Sequence, residues 1–270
     1  MKLKYYLLIL PAFILSCNQD KKHNQEIKHN NDRLLVAVAW YQHSAEMAAL
    51  YYQGFNIARE RLDETLKNYK KGKPPVIVVD VDETMLNNSP FETSLLTNED
   101  SLSGWYSWTS KASAKPLPGA LEFAKYAESK KVEIFYITNR DDNERASTIK
   151  NLASTGFPFA DEEHLLTKSD LSYASGNTSS KARRRAKVSE NHEIVLLIGD
   201  NLNDFSEKFE DRSHNDGKDS VTKYSSEFGK KFIILPNPIY GAWEKPLYDY
   251  IDTLTDSQKT NLMKEKLIKE

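Results

Sequence analysis

Two aspartates stand two positions apart, directly behind a short apolar run of β-branched residues. The run is 76–79, and the aspartates are Asp80 and Asp82, followed by Thr84. Buried carboxylates are costly unless a cation compensates their charge, and a hard divalent cation such as Mg²⁺ prefers oxygen ligands and shares its other positions with phosphate. Because residues two apart in extended backbone point the same way, both carboxylates can reach one phosphoryl group. The sequence therefore indicates a divalent-metal site at this point that can share its cation with a phosphate.

Similar apolar runs recur along the chain and predict further strands. They are residues 132–137, 194–198 and 232–235, with a weaker candidate at 164–166, and helix-like sequence stands before the strong ones. This alternation predicts an α/β fold with a parallel sheet and crossover helices. In such open sheets, ligands bind beyond the carboxyl ends of the strands.

Polar side chains follow the predicted strands at the edge where ligands bind. Thr138 and Asn139 follow the second strong run, and Asp200 and Asp204 follow the third. A basic run lies between these two groups, and we interpret it as a solvated helix face except for its first member. Its members are Lys181, Arg183, Arg184, Arg185 and Lys187.

These residues resemble the four motifs of the haloacid dehalogenase superfamily, and they occur in the same order. The motifs are the pair Asp80 and Asp82 with Thr84, the hydroxyl of Thr138, Lys181, and the acidic pair Asp200 and Asp204. The resemblance implies a Rossmann-like core of haloacid dehalogenase type with a smaller, mainly helical cap. Because the second aspartate supplies an acid that a dehalogenase does not need, it favours a phosphatase.

The superfamily resemblance also implies a role for each motif residue. Asp80 attacks phosphorus and forms an aspartyl phosphate, while Asp82 protonates the leaving oxygen and later activates water. The phosphoryl oxygens are held by Thr138, Asn139 and Lys181. The Mg²⁺ ligands are Asp80, Asp82 through its backbone carbonyl, and Asp200, with Asp204 supporting the metal site.

A narrower resemblance covers about residues 34–248. It is to the class C acid phosphatases, bacterial outer-surface lipoproteins also described as lipoprotein 5′-nucleotidases, and it rests on segments 40–44, 80–88, 105–108, 118–120, 136–140, 199–205 and 235–244. It implies nucleoside monophosphates or nicotinamide mononucleotide as substrates, with the base stacked between aromatic rings. The candidates are Trp105 or Trp108 on one side and Tyr240 on the other.

The domain organisation follows from changes in composition. Residues 1–16 are expected to be a signal peptide, 17–32 a flexible polar tether, and 33–270 the phosphatase domain. The N-terminal helices, at about 33–70, and the segment 85–116 are expected to form the cap. That segment has no clear period and is long for a simple connection.

The amino terminus resembles a bacterial lipobox. Lys2 and Lys4 precede the apolar run 5–15, which ends at Ser16 and Cys17. The run is too short for an ordinary membrane-spanning helix. Since a lipobox cysteine receives a lipid, the resemblance implies that a lipid on Cys17 anchors the chain in the bacterial cell envelope, most readily in the outer membrane. Cys17 is the only cysteine, so the chain cannot form an internal disulfide.

Other functions are less consistent with the sequence than a phosphatase is. A formal net charge of −2 gives no electrostatic footprint for nucleic acid. A haem- or ligand-binding surface lipoprotein is the main alternative from another class, but the histidines are scattered among tether, helices and loops. A phosphatase for other small phosphomonoesters, and assembly into a homodimer, are left open by the sequence.

The lipid anchor can be tested on the intact chain. We expect Cys17→Ser to release the protein from membranes or to leave an unprocessed precursor, because the single attachment point is gone. Membrane fractionation and mass spectrometry of the amino terminus measure this. A mature, unlipidated form that stays with the membrane would show that something else holds it there.

Overall fold

A five-stranded parallel sheet forms the centre of the described structure. The structure, a computed structural model, describes residues 34–70, 72–96, 102–169 and 179–268. The expected signal peptide (1–16), the tether (17–32) and Cys17 lie outside these residues. The strands in chain order are β1 (Pro75–Val79), β2 (Leu86–Asn87), β3 (Lys115–Pro116), β4 (Glu133–Ile137), β5 (Leu165–Leu166), β6 (Glu193–Gly199) and β7 (Phe232–Ile234).

The order of the strands puts the first one in the middle. The sheet runs β5-β4-β1-β6-β7 with every pairing parallel, while β2 and β3 form a separate antiparallel ribbon. In β1, Val79 stands opposite Tyr136 of β4 and Ile198 of β6. The residue after β1 therefore emerges between the loops of two neighbouring strands, which is the place where ligands of open α/β sheets bind.

Helices cover both faces of the sheet. They are residues 34–43 (α1), Ala45–Asn68 (α2), Ser89–Leu95 (α3), Leu102–Ser110 (α4), Ala120–Ser129 (α5), Arg145–Thr155 (α6), Ala182–Asn191 (α7), Lys218–Lys223 (α8) and Asp256–Lys266 (α9), joined in places by short 3₁₀ turns. One apolar core contains residues of α2, α5, α6 and the sheet, and a second contains Val188 of α7 with Phe205 and Phe209. The predicted α/β fold is confirmed, including the weaker strand at 164–166.

Helix α2 lies close to the sheet because of one glycine. A Cβ atom at Gly54 would come within 2.6 Å of Leu235 Cδ2, just after β7. The α2 residue Tyr51 donates a hydrogen bond to the backbone oxygen of Glu83 in the loop after β1. The helix is thus tied to the loop that carries Asp80 and Asp82. None of the helices in the described ranges is long and apolar enough to cross a membrane.

The segment 85–116 leaves the core and returns to it at one place. It contains β2, α3, α4 and β3, and the ribbon pairs Leu86 with Pro116 and Asn87 with Lys115. The two ends of the segment are therefore held together by backbone hydrogen bonds. Its assignment as part of a cap, together with α1 and α2, stays a prediction.

Candidate active site

The loop after β1 turns tightly and presents its acidic residues to the carboxyl edge of the sheet. The backbone N–H groups of Met85 and Leu86 both donate to the carbonyl of Val81, at 2.9 Å. Glu83 takes a positive φ of 54° in this turn and is fully buried. Its carboxylate accepts a 2.7 Å hydrogen bond from the backbone of Asn88, which fixes the loop from inside.

The structure brings four of the predicted residues into one largely buried cluster. Carboxylate oxygens of Asp80, Asp200 and Asp204 lie within 4.8 Å of one another. Lys181 Nζ contacts Asp80 and lies 2.6 Å from Asp204 Oδ1. Asp200 also accepts a 2.8 Å hydrogen bond from Asn237, beyond β7. The loops after three strands and the start of α7 thus meet at one point.

The cluster carries more negative charge than its lysine can offset. Burial raises the pKa of Asp80, and the negative charge of Asp204 adds to this, while Lys181 acts in the opposite direction. Burial also raises the pKa of Asp200, with Asp80 as the next cause. A divalent cation would remove this cost, and carboxylates are the ligands that a hard cation prefers. These residues therefore fit a divalent metal.

Asp82 is held by Arg140, a residue behind β4 at the ligand edge of the sheet to which the motifs assign no role. Arg140 Nη2 lies 2.7 Å from Asp82 Oδ1, and its Nε lies 3.2 Å from Oδ2. Asn88 donates to Asp82 Oδ1 at 2.8 Å and Thr138 donates to Oδ2 at 3.3 Å. Arg140 directly follows the predicted residues Thr138 and Asn139, so its position behind β4 was a usable signal.

The interpretation of the basic run as a solvated helix face is wrong for two of its members. Arg184 and Arg185 are buried, while Arg183 is exposed. Arg184 donates to the carbonyl of Thr138 and, at 2.7 Å, to the side-chain oxygen of Asn139. These arginines face the sheet because unpaired carbonyl groups of the strand-end loops need donors there.

Arg185 makes the matching connection on the other side of α7. It donates to the backbone oxygens of Asn203 and Asp204, at 3.1 and 3.0 Å. Lys181 stands at the position just before the same helix begins. The helix that carries the lysine is thereby tied to the loops after β4 and β6. Gly199 allows the second loop to pack closely, because a Cβ atom there would lie 2.3 Å from Asp204 Oδ2.

A cavity of about 670 Å³ opens above the cluster. Its wall includes Asp80, Asp82, Asn139 and Lys181, together with Trp105 and Tyr240. The indole of Trp105 packs edge-on against Phe91, with ring centroids 5.1 Å apart. The hydroxyl of Tyr240 donates to the carboxylate of Glu83, so this ring is fixed to the loop after β1.

The third aromatic candidate lies elsewhere. Trp108 does not line the cavity; its indole N–H donates to Asn88 Oδ1 at 2.8 Å, and its ring packs against the core. The structure therefore brings Trp105 and Tyr240 together at the cavity and leaves Trp108 supporting Asn88.

Glu92, which belongs to none of the sequence motifs, also lines the cavity. Glu92, on α3, is 7 % exposed. Burial, and then the nearby carboxylate of Glu244, raise the pKa of Glu92 to about 7. Its carboxyl group is therefore uncharged in mildly acidic solution and becomes charged as the pH passes neutrality.

Residues 16–243 match the family described as "HAD superfamily, subfamily IIIB (Acid phosphatase)". The chain belongs to this family of acid phosphatases, which are phosphomonoester hydrolases.

Solved structures support the same assignment. The class C acid phosphatase from Bacillus anthracis is 41 % identical, with a TM-score of 0.82, and the match covers 91 % of this chain and 99 % of that one. A second structure of that enzyme, with tungstate bound, matches with a TM-score of 0.81 at the same identity and covers 90 % and 99 % of the two chains. Acid phosphatase 1 from Solanum lycopersicum is 24 % identical over 196 residues, 69 % of each chain.

The buried carboxyl of Glu92 predicts a pH-dependent stability difference. The pKa of Glu92 is raised from 4.5 to about 7 in the folded protein. Protonation of this carboxyl group therefore adds to the free energy of unfolding, fully below about pH 4.5, and this contribution is lost as the pH rises through 7. We expect the melting temperature of Glu92→Gln, relative to wild type, to rise by several degrees between pH 5 and pH 8, since the shift corresponds to about 3 kcal/mol. Calorimetry at both pH values measures this, and a constant difference would contradict it.

Proposed function

We propose that this acid phosphatase is a Mg²⁺-dependent enzyme that hydrolyses nucleoside monophosphates or nicotinamide mononucleotide through an aspartyl phosphate on Asp80. The observation that carries the proposal is the contact of Asp80 with Lys181 inside the acidic cluster, at the floor of a cavity with two aromatic rings in its wall. The cavity volume of about 670 Å³ is in the range of small-molecule sites.

In the first step, an oxygen of Asp80 attacks phosphorus and the bond from phosphorus to the ester oxygen breaks. Asp82 gives its proton to the leaving oxygen, and Arg140 and Asn88 hold its carboxyl group in position. In the second step, Asp82 takes a proton from water, which attacks phosphorus. The bond from phosphorus to Asp80 then breaks and inorganic phosphate leaves.

The phosphoryl oxygens are held by donors from one loop and from the start of one helix. Lys181 offers a fixed positive charge, and the polar side chains of Thr138 and Asn139 stand behind β4. When bound, the cation would neutralise phosphoryl charge, and Asp80, Asp200 and the backbone of Asp82 would hold it, with Asp204 in support. The tungstate bound by the Bacillus anthracis relative is a tetrahedral oxyanion like phosphate, which supports an oxyanion subsite here.

The rest of the assignment rests on the sequence and on the character of the cavity wall. Trp105 and Tyr240 would stack on a flat base, which suits nucleotides without demanding a particular one. Cys17 would hold the enzyme in the bacterial cell envelope, favouring the outer membrane, and its partners there are the lipid and a small phosphomonoester. We propose no nucleic-acid partner. No histidine lines the described cavity, so haem binding gains no support there.

The nucleophile can be tested by a conservative exchange. We expect Asp80→Asn to lower kcat by about a thousandfold or more, because an amide keeps the shape but is a poor nucleophile and a weaker metal ligand. Wild-type activity should disappear on chelation and return with added Mg²⁺. Steady-state kinetics measure both effects, with circular dichroism as the control for folding. Retained activity in a folded Asp80→Asn variant would exclude Asp80 as the nucleophile.

Base stacking can be separated from support of the catalytic loop at Tyr240. We expect Tyr240→Ala to lower kcat/KM for AMP about tenfold or more, since stacking on an aromatic ring contributes about 1–3 kcal/mol. A small aliphatic phosphate ester has no ring to stack, so its kcat/KM should fall little.

The matched control is Tyr240→Phe, which keeps the ring and removes the hydroxyl that contacts Glu83. Tyr240→Phe should keep the wild-type ratio of kcat/KM for AMP to kcat/KM for the aliphatic ester, even if both values fall. If Tyr240→Ala lowers kcat/KM equally for both substrates, Tyr240 acts through Glu83 and not through the base.

A further inference from the structure

Glu92 is a buried carboxyl group without a hydrogen-bond donor among the residues that the structure describes. It shares the cavity wall with Trp105 and Tyr240, and only 7 % of its surface is exposed. Its backbone N–H continues the helix by donating to Asn88, so only the side chain is free. The charged group that acts on it most strongly, Glu244, is another carboxylate.

This arrangement does not serve stability. A largely buried carboxyl group that makes no hydrogen bond to the protein costs free energy of folding, and a neighbouring like charge adds to the cost. Most buried polar side chains in folded proteins have a partner, so one without a partner that faces a cavity requires an explanation. A donor that arrives with the substrate would supply that partner.

The chemistry of the substrate restricts which part Glu92 can contact. The phosphoryl oxygens of a phosphomonoester are acceptors, and the proposed function assigns them donors in Lys181 and Thr138. A carboxyl group accepts a hydrogen bond through its carbonyl oxygen in either protonation state, as it would from the N–H or O–H groups of the ester's organic part. Glu92 lies in the cavity wall with Trp105 and Tyr240, the rings proposed to hold that organic part, so it faces this part of the substrate.

We propose that Glu92 is a specificity residue, which accepts hydrogen bonds from N–H or O–H groups on the organic part of the substrate held against Trp105 and Tyr240. The inference rests on the proposed function and names the substrate class more closely: phosphomonoesters whose organic group carries such donors. In a nucleotide, two sources offer them, the amino group of the base and the hydroxyls of the ribose.

The protonation behaviour of Glu92 suits a site that admits anions. Burial, and then Glu244, raise its pKa to about 7, so below neutral pH the carboxyl group is uncharged. An uncharged carboxyl group does not repel an approaching phosphate ester. It can still accept through its carbonyl oxygen.

The experiment compares kcat/KM for four substrates, with Mg²⁺ present, in wild type, Glu92→Gln and Glu92→Leu. AMP carries both kinds of donor, purine riboside 5′-monophosphate lacks the amino group, 2′,3′-dideoxy-AMP lacks the ribose hydroxyls, and phenyl phosphate lacks both. We expect wild type to prefer AMP over at least one nucleotide analogue by about tenfold. Glu92→Leu should remove that preference and leave phenyl phosphate within about twofold of wild type.

Two variants test whether the effect belongs to this carboxyl group. Glu92→Gln keeps an acceptor oxygen in the same shape and should retain part of the preference. Glu210 lines the same cavity, but its carboxylate already accepts a 2.6 Å hydrogen bond from Ser180. Glu210→Gln should therefore leave the ratio of AMP to its analogues unchanged.

The analogue whose disadvantage disappears in Glu92→Leu identifies the donor, an amino group or a hydroxyl. If Glu92→Leu lowers kcat/KM equally for all four substrates, or changes it for none, the inference is overturned and Glu92 only supports α3. If wild type hydrolyses AMP and both analogues equally well, the inference alone is wrong. If wild type hydrolyses phenyl phosphate but no nucleotide, the proposed substrate class fails and the inference fails with it.

Discussion

The pairing of one lysine with a group of buried aspartates organises the whole molecule. Lys181 contacts both Asp80 and Asp204, which come from the loops after β1 and β6, so the lysine can be in place only when β1, β6 and α7 are all correctly packed. Like charges at such short range oppose folding unless they are compensated. Much of the surrounding structure consists of groups that hold these charges together: Asn237 on Asp200, and Arg140 and Asn88 on Asp82. Stability and chemistry therefore draw on the same contacts in this region.

The fold could be predicted from the sequence because its signals are local. A buried parallel strand consists of a continuous β-branched run, and 76–79 satisfies this without reference to any other part of the chain. The residues at the strand ends followed, since parallel strands bring their carboxyl ends to one edge. Asp80, Asp82, Thr138 and Asp200 could thus be grouped from their positions in the sequence alone. Strand ends shifted by at most one residue, as in β6, which spans Glu193–Gly199 where 194–198 was predicted, because the last backbone hydrogen bond of a strand depends on its neighbour.

Other residues of the site have no local signal. Arg184 and Arg185 stand in a basic helix that is typical of a solvated face, and only the free carbonyls of the loops after β4 and β6 explain their burial. Glu92 stands in a short helix whose sequence gives no indication of a neighbouring carboxylate from residue 244. Trp105 and Trp108 lie one turn apart on α4, and the sequence could not show which of them faces the cavity. Tertiary neighbours decide all of these positions.

The antiparallel ribbon of β2 and β3 affects how this enzyme can change over time. Because Leu86 pairs with Pro116 and Asn87 with Lys115, the chain between them begins and ends at the same clamp. The entropy of closing a loop grows slowly with its length, so residues can be gained or lost beyond the clamp at little thermodynamic cost. Within the described residues, the loop after β1 depends on this segment at one point, Asn88, which holds Asp82 and Glu83 and is itself supported by Trp108. Where that contact is kept, changes elsewhere in α3 and α4, which carry Glu92 and Trp105, would give selection or a protein engineer a way to alter substrate preference without rebuilding the acidic cluster.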